Sequence, residues 1–188
     1  MLHLGVGSHR NLRALAVAIP MVLACAAVSF SAGGEREYAN REHGFVFRYP
    51  DDWERQSGSV GSYPIIAFGE LRKTGFAASV NVVVATQPGA SAKLYARNAA
   101  ARISQGGDPR LSDFREDGPG VPGAVYGGDS WLTRFSCYSS DVRNRVWFYQ
   151  LTVVRGSDVI VLTAACLESE KAAYLPVFER IVSSFRLI

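Results

Sequence analysis

Aromatic and other residues alternate across positions 45–49, with Phe45, Phe47 and Tyr49 at every second place. In an extended strand a period of two sets all three rings on one face. Pro50 lacks the N–H that a sheet ladder needs, so the strand ends there. Asp51 and Asp52 favour a turn, which places Trp53 to fold back over the aromatic face. Residues 37–40 read as an earlier strand, and Arg41-Glu42-His43-Gly44 as the turn joining the two. Residues 57–62, rich in Gly and Ser, read as a loop. Residues 63–68 predict another strand, with Pro64 biasing it to an edge or to its own start.

Alternation is cleaner over residues 76–85, where Phe76, Ala78, Val80, Val82 and Val84 share one face and Ser79 and Asn81 the other. After Pro88-Gly89 the period lengthens. Ser91 is placed as an N-cap, and the helix it opens runs to Ser104 and stops at Gly106-Gly107, with Leu94, Tyr95, Ala99 and Ile103 as its buried stripe. Residues 107–128 hold three prolines among many glycines and form the loosest stretch, with short strands at 111–114 and 124–126. Three strands follow closely at residues 131–139, 145–154 and 158–167. Gly156-Ser157 suits a two-residue type II′ hairpin, whose register pairs Val153 with Ile160, Leu151 with Leu162, Tyr149 with Ala164 and Trp147 with Cys166. All eight fall on one face. The other face carries Phe148, Gln150, Thr152 and Val161, so the sheet is expected to be covered in part on both sides. Ser169 then caps a last helix with Pro176 near its start, and Tyr174, Leu175, Phe178, Ile181, Val182 and Phe185 follow three- and four-residue spacings.

The first thirty residues belong to a different pattern. Arg10 and Arg13 precede an apolar run from Ala14 to Phe30, the order of a secretory leader. Val22-Leu23-Ala24-Cys25 resembles a bacterial lipobox, which would make Cys25 the lipidated first residue of the mature chain. Two alternatives stay open: cleavage after Ser29, or retention of the run to about residue 32 as a signal anchor. In all three the basic end stays inside and the following residues lie outside the cytoplasm. This divides the chain into a leader over 1–24, a tether over 25–35 and one globular domain over 36–188.

Setting the leader aside corrects the charge. The chain has 20 basic and 17 acidic residues, net +3. Without Arg10 and Arg13, 18 basic groups face 17 acidic ones. That balance excludes a nucleic-acid footprint. Cys137 and Cys166 remain, and an even count outside the cytoplasm invites a disulfide. A simple meander would instead place them on the two strands flanking Trp147, about 9.5 Å apart, beyond the ~7 Å reach of a bridge. Bridge and buried thiols both stay open.

Candidate chemistry is sparse. His43 is the only histidine beyond the leader, and no Cys or His pair has metal-ligand spacing. No nucleophile elbow occurs after the leader, and Asp51-Asp52 reads as a solvated turn. Asp108, Asp113, Glu116 and Asp117 could gather round a cation, without the spacing of a calcium loop. Trp131, Trp147 and Tyr149 could line a groove beside residues 107–128.

Two distant elements suggest a family. Tyr38 with Gly44-Phe45-Val46-Phe47-Arg48-Tyr49-Pro50 and Trp53 opens the region, and Phe178-x-x-Ile181-x-x-Ser184-Phe185 closes it. Together they resemble PsbP-like proteins and their bacterial relatives, the DcrB-like and Lpq-type lipoproteins. The resemblance implies an α+β fold, an α-β-α sandwich around a central antiparallel sheet. It implies no catalytic residues, no cofactor and no metal. It points to an accessory, binding or assembly role at the envelope, with another envelope protein as partner and no nucleic acid, held to the membrane by a lipid anchor or the N-terminal segment. A small-ligand or lipid carrier is the alternative.

Overall fold

A two-residue turn sets the register of the sheet's centre. Gly156 adopts φ +61° while Ser157 stays at negative φ, the combination that a type II′ turn requires. From it β9 (Asn144–Arg155) and β10 (Asp158–Leu167) pair in the expected register, Val153 with Ile160 through to Trp147 with Cys166. Both strands are buried along most of their length on both faces.

The structure, a computed structural model, describes residues 34–60, 63–70 and 75–188. The leader, including Cys25, lies outside the described residues. The remaining elements are β1 (Glu35–Asn40), β2 (Phe45–Pro50), β3 (Trp53–Val60), β4 (Tyr63–Glu70), β5 (Ser79–Thr86), α1 (Ala92–Ser104), β6 (Leu111–Glu116), β7 (Val121–Pro122), β8 (Asp129–Ser139), a 3-10 turn (Glu168–Glu170), α2 (Lys171–Ser183) and β11 (Arg186–Leu187). The large antiparallel sheet has the order β3-β4-β5-β10-β9-β8-β6, with β7 also paired to β8. β1, β2 and β11 form a second, three-stranded sheet. This is an α+β sandwich: α1 covers one face of the large sheet, and α2 with the small sheet covers the other.

The principal core lies on the α2 side. Phe45, Phe47, Tyr49 and Trp53 meet Phe68, Val80, Val82, Trp147, Leu151, Ile160 and Leu162 there, with Tyr174, Phe178, Ile181 and Phe185 from the C-terminal region. The two ends of the chain touch directly. Phe45 stacks on Phe185 at 5.5 Å between ring centroids, Ser184 Oγ accepts from the Arg48 backbone N–H at 2.8 Å, and β11 pairs with β2.

Strand direction gives the sandwich two poles. The Asp51 N–H donates to the Gly34 carbonyl at 3.0 Å, so the chain enters at the pole that holds Pro50 and Trp53. The opposite pole holds Gly44, the β9–β10 turn and the start of α1. There Arg155 Nη1 donates to the carbonyls of Gly44 and Ile188, each at 2.9 Å. Gly44 sits at φ +64°, and a Cβ on it would run into the Arg155 guanidinium and the Ile188 carbonyl.

Several expectations are revised. Residues 57–60 belong to β3, because pairing with β4 (Ser57 with Ile66, Gly58 with Ile65) overrides the turn propensity of Gly and Ser. The strand expected from Phe76 begins at Ser79, and Phe76 packs on the α1 side, away from Val80 and Val82. The buried stripe of α1 is Ala92, Ala96 and Ile103, and Leu94 is 59% exposed. Ser91 makes no side-chain cap; Asp129 Oδ2 accepts from the Ala92 N–H at 2.7 Å instead. No strand forms at 124–126; the short strand is β7. Ser169 falls in the 3-10 turn, and Pro176 lies well inside α2 rather than near its start.

Phe47 is fully buried, with Tyr38, Tyr49 and Phe68 around it. Phe47→Ala is therefore expected to destabilise the fold by about 3–5 kcal/mol, read from the midpoint shift of urea denaturation. A loss near zero would contradict its place in the core.

Candidate functional site

Carboxylates and cations in the 107–128 region meet one by one instead of converging. Asp108 is nearly buried and holds Arg110 three times, through the backbone N–H at 3.0 Å, Nε at 3.0 Å and Nη2 at 2.8 Å. The Arg110 side-chain hydrogen bond holds the Asp108 carboxyl below its usual range, against the opposing effect of burial. Asp113 takes φ +48° at the point where the β6–β8 register shifts, a conformation that Asp tolerates better than most residues. Arg145 braces it, bonding both its carboxylate and its carbonyl, donating to Ser136 Oγ at 3.1 Å, and lying 3.6 Å from Glu168. Glu116 is exposed.

Asp117, just after β6, reaches the α2 side of the sheet. Its Oδ2 accepts from Trp147 Nε1 at 2.8 Å and Lys171 Nζ at 2.5 Å, and Lys171 also sits 5.1 Å above the Trp147 ring. The lysine hydrogen bond, ahead of the indole one, lowers the Asp117 pKa. This junction fastens the loop after β6 to β9 and to the start of α2. Among the described residues, no group of three or more His, Cys, Asp or Glu side chains is placed to hold a metal ion. The four carboxylates considered together in the sequence are thus engaged or exposed separately.

The remaining candidates are placed as follows. His43 is half-buried in its turn, with Nδ1 3.3 Å from Asp158 Oδ2. Asp51 and Asp52 occupy the turn after β2. Trp147 and Tyr149 are buried in the principal core. Trp131 is different: it faces α1, half-buried, with Lys93 Nζ 4.9 Å from its ring centroid.

Cys137 and Cys166 are not bridged to each other. Cys166 is opposite Trp147, whereas Cys137 is opposite Val146. That single step of register sends them to different faces, Cys166 into the α2-side core and Cys137 among Phe76, Ile103, Phe135 and Phe148 on the α1 side. Burial pushes the Cys137 thiol up to about 11.

One surface is left without chemistry of its own but with apolar groups. At the pole opposite Gly34, Tyr126 is 98% exposed on the loop before β8 and Ile188 is 54% exposed. The two segments adjoin, since a Cβ on Gly128 would meet Leu187 Cδ1 and Val153 Cγ1 at 3.0 Å. Leu94, in the first turn of α1, lies at the same pole. Single exposed apolar residues are ordinary, and Tyr138, 41% exposed, lies toward the entry pole; the presence of three at the other pole is what marks this end. Sequence reasoning missed Tyr126 by assigning it to a strand, and missed Leu94 by assigning it to the core. Among the described residues, no helix is long and apolar enough to cross a membrane.

No protein-family model matches the chain, and no curated protein matches it in sequence. Solved structures do match in fold. Cyanobacterial PsbP (CyanoP) from Synechocystis sp. PCC 6803 superposes with TM-score 0.64 at 12% identity, over 87% of this chain and 98% of its own. LpqN, involved in cell envelope biogenesis of Mycobacterium tuberculosis, gives 0.56 at 16% identity, over 82% and 90%. The Saccharomyces cerevisiae Ran-binding protein Mog1p gives 0.56 at 8%, over 83% and 96%. At these identities the likeness is one of fold: the chain has the PsbP-like architecture that its terminal motifs suggested.

The Asp108–Arg110 pair makes stability depend on acid. A carboxyl whose pKa is lowered by folding stabilises the native state above its unfolded pKa of about 4, and that stability is lost as pH falls through the folded value. Asp108→Asn should therefore lower the urea midpoint at pH 7 and converge with the wild type toward pH 2–3. A deficit of equal size at both pH values would show that the pair's charge is not what matters.

Proposed function

We propose that this chain is a non-enzymatic extracytoplasmic module of the cell envelope, tethered through its N-terminal segment, that binds or helps assemble another envelope protein. The observation that carries this reading is the polarity of the sandwich. The chain enters at Gly34, and the exposed Tyr126, Ile188 and Leu94 lie at the opposite pole. A domain tethered at one end presents the other to partners.

Three further points support it. The leader-like order of residues 1–30 suits export, and Cys25 suits a lipid anchor, with residues 25–35 as the tether. The charged side chains around residues 107–128 are largely spent on one another or on backbone groups, an arrangement that favours structure over acid–base chemistry. Proteins of this fold include one described as Ran-binding and one involved in envelope biogenesis, and both descriptions concern association or assembly. The carrier reading loses Trp147 and Tyr149, whose rings are packed into the core, and retains only the half-buried Trp131.

Two experiments check the two halves of this reading. In cells, Cys25→Ala should abolish lipid labelling and release the protein from membranes; unchanged membrane association would favour a retained signal anchor. A photo-crosslinking amino acid at position 126 should capture one discrete partner, whereas the same group at position 52, near the entry pole, should not. Equal capture at both positions, or of abundant bystanders alone, would remove the support for a docking pole.

A further inference from the structure

The face of the sheet beneath α1 is not uniformly apolar. Cross-strand partners place Asn81 of β5, Thr163 of β10, Gln150 of β9 and Thr133 of β8 in one row across four strands. Asn81, Thr163 and Gln150 are buried, and Gln150 Nε2 donates to Thr163 Oγ1 at 3.0 Å. This row separates two apolar clusters, one around Phe135 and Phe148 and the other around Val154, Val159 and Val161. One step toward the hairpin pole, Thr152 is directly paired with Trp131. Thr152 is 0% exposed, and its hydroxyl has no hydrogen-bond partner among the described residues.

A buried hydroxyl left unpaired is a standing cost that valine, with nearly the same shape, would remove. The helix above it offers little in return. The fully buried positions of α1 from its start to its middle are Ala92 and Ala96, with the half-buried Tyr95 packed on the Val154, Val159 and Val161 cluster beside them; the two methyl groups neither bond to the row nor bury much surface. At the rim of this layer stand groups of another kind. Trp131 presents a half-buried ring with the Lys93 ammonium on its face. The Gly120 backbone lies so close to the indole edge that a Cβ there would collide with Trp131 Nε1. The basic side chains of α1 are Lys93, Arg97 and Arg102, and the helix has no acidic residue. The nearest carboxylate at its start, Asp129, is engaged by the Ala92 N–H.

We propose that this layer is a binding site for a small organic anion with a flat or short apolar body. The body lies against Trp131 between α1 and the Gly120 segment. The anionic group takes Lys93 from the indole face, exchanging a cation–π contact for a charge-assisted hydrogen bond. The Thr152 hydroxyl at the floor gains the partner that the unliganded protein denies it, and the first half of α1, with Ala92, Tyr95 and Ala96 toward the sheet, is the wall that yields. The site is on the α1 side of the sheet and borders the docking pole through Lys93, the neighbour of Leu94; it is argued from residues other than those that carry the partner-binding reading.

The test uses the full chain and a pair of fluorescent probes that differ by one charge. 8-Anilinonaphthalene-1-sulfonate is expected to bind saturably to the folded protein, and its neutral counterpart N-phenyl-1-naphthylamine about ten-fold more weakly. Lys93→Gln should weaken the sulfonate probe about ten-fold and leave the neutral probe unchanged. Thr152→Val should weaken the sulfonate probe while holding or raising the melting temperature, a combination that a purely structural threonine would not produce. Benzoate should displace the bound probe. Absence of saturable binding, equal affinity for the two probes, or unchanged binding in both variants would each overturn the proposal. Crosslinking at position 126 is unaffected by any of these results, so the two readings fail separately.

Discussion

Burial of β9 and β10 on both faces is the constraint that organises this molecule. A strand buried on one side needs one cover; these two need a cover on each side. The α2-side residues Trp147, Leu151, Val153, Ile160 and Leu162 meet the small sheet and the C-terminal helix. The α1-side residues Phe148, Val154, Val159 and Val161 meet the other helix and the edge elements. The two covers are unequal. One is a dense aromatic core, and the other is an alanine-rich helix over a partly polar face, which is why the first reads as structure and the second as a place for a ligand.

Legibility followed how much of the information was local. The β9–β10 register could be derived because a Gly-Ser turn and an apolar alternation agree on it. The signature of the two chain ends was also legible, since Phe45, Phe47, Phe178 and Phe185 hold fixed spacings within short segments. What stayed hidden depends on distant partners. Residues 57–60 look like a loop until β4 supplies their ladder, and the stripe read on α1 includes Leu94 until the sheet takes Ala92 and Ala96 instead. The single register step that sends Cys137 away from Cys166 is set by the turn between β8 and β9. The candidate site shows the same division: Trp131 was visible as an aromatic on a strand, but Lys93 above it and the orphaned Thr152 hydroxyl beside it exist only in three dimensions.

Electrostatics in this protein serve mainly to hold the covers in place. Asp117 joins Lys171 of α2 to Trp147 of the sheet, Arg145 joins β9 to the β6 bulge, and Arg155 joins the hairpin end to Gly44 and Ile188. Pairs of this kind, half exposed, contribute modestly one at a time. Their value here is geometric, since each ties a loop or an end of the chain to a strand whose register is already fixed.

The contact between residues 45–48 and residues 184–187 has a consequence for the order of events in folding. Arg48 and Ser184 are 136 positions apart, and β2 gains its second neighbour only from β11. Closing so long a loop carries an entropic toll that no local turn can offset. The large sheet can assemble from neighbouring hairpins, whereas Phe45 and Phe47 stay under-covered until the C-terminal segment arrives. A nascent chain lacking that segment would hold its central sheet together and still offer a sticky aromatic ledge, so release from whatever shields that ledge is timed by the arrival of the last eighteen or so residues.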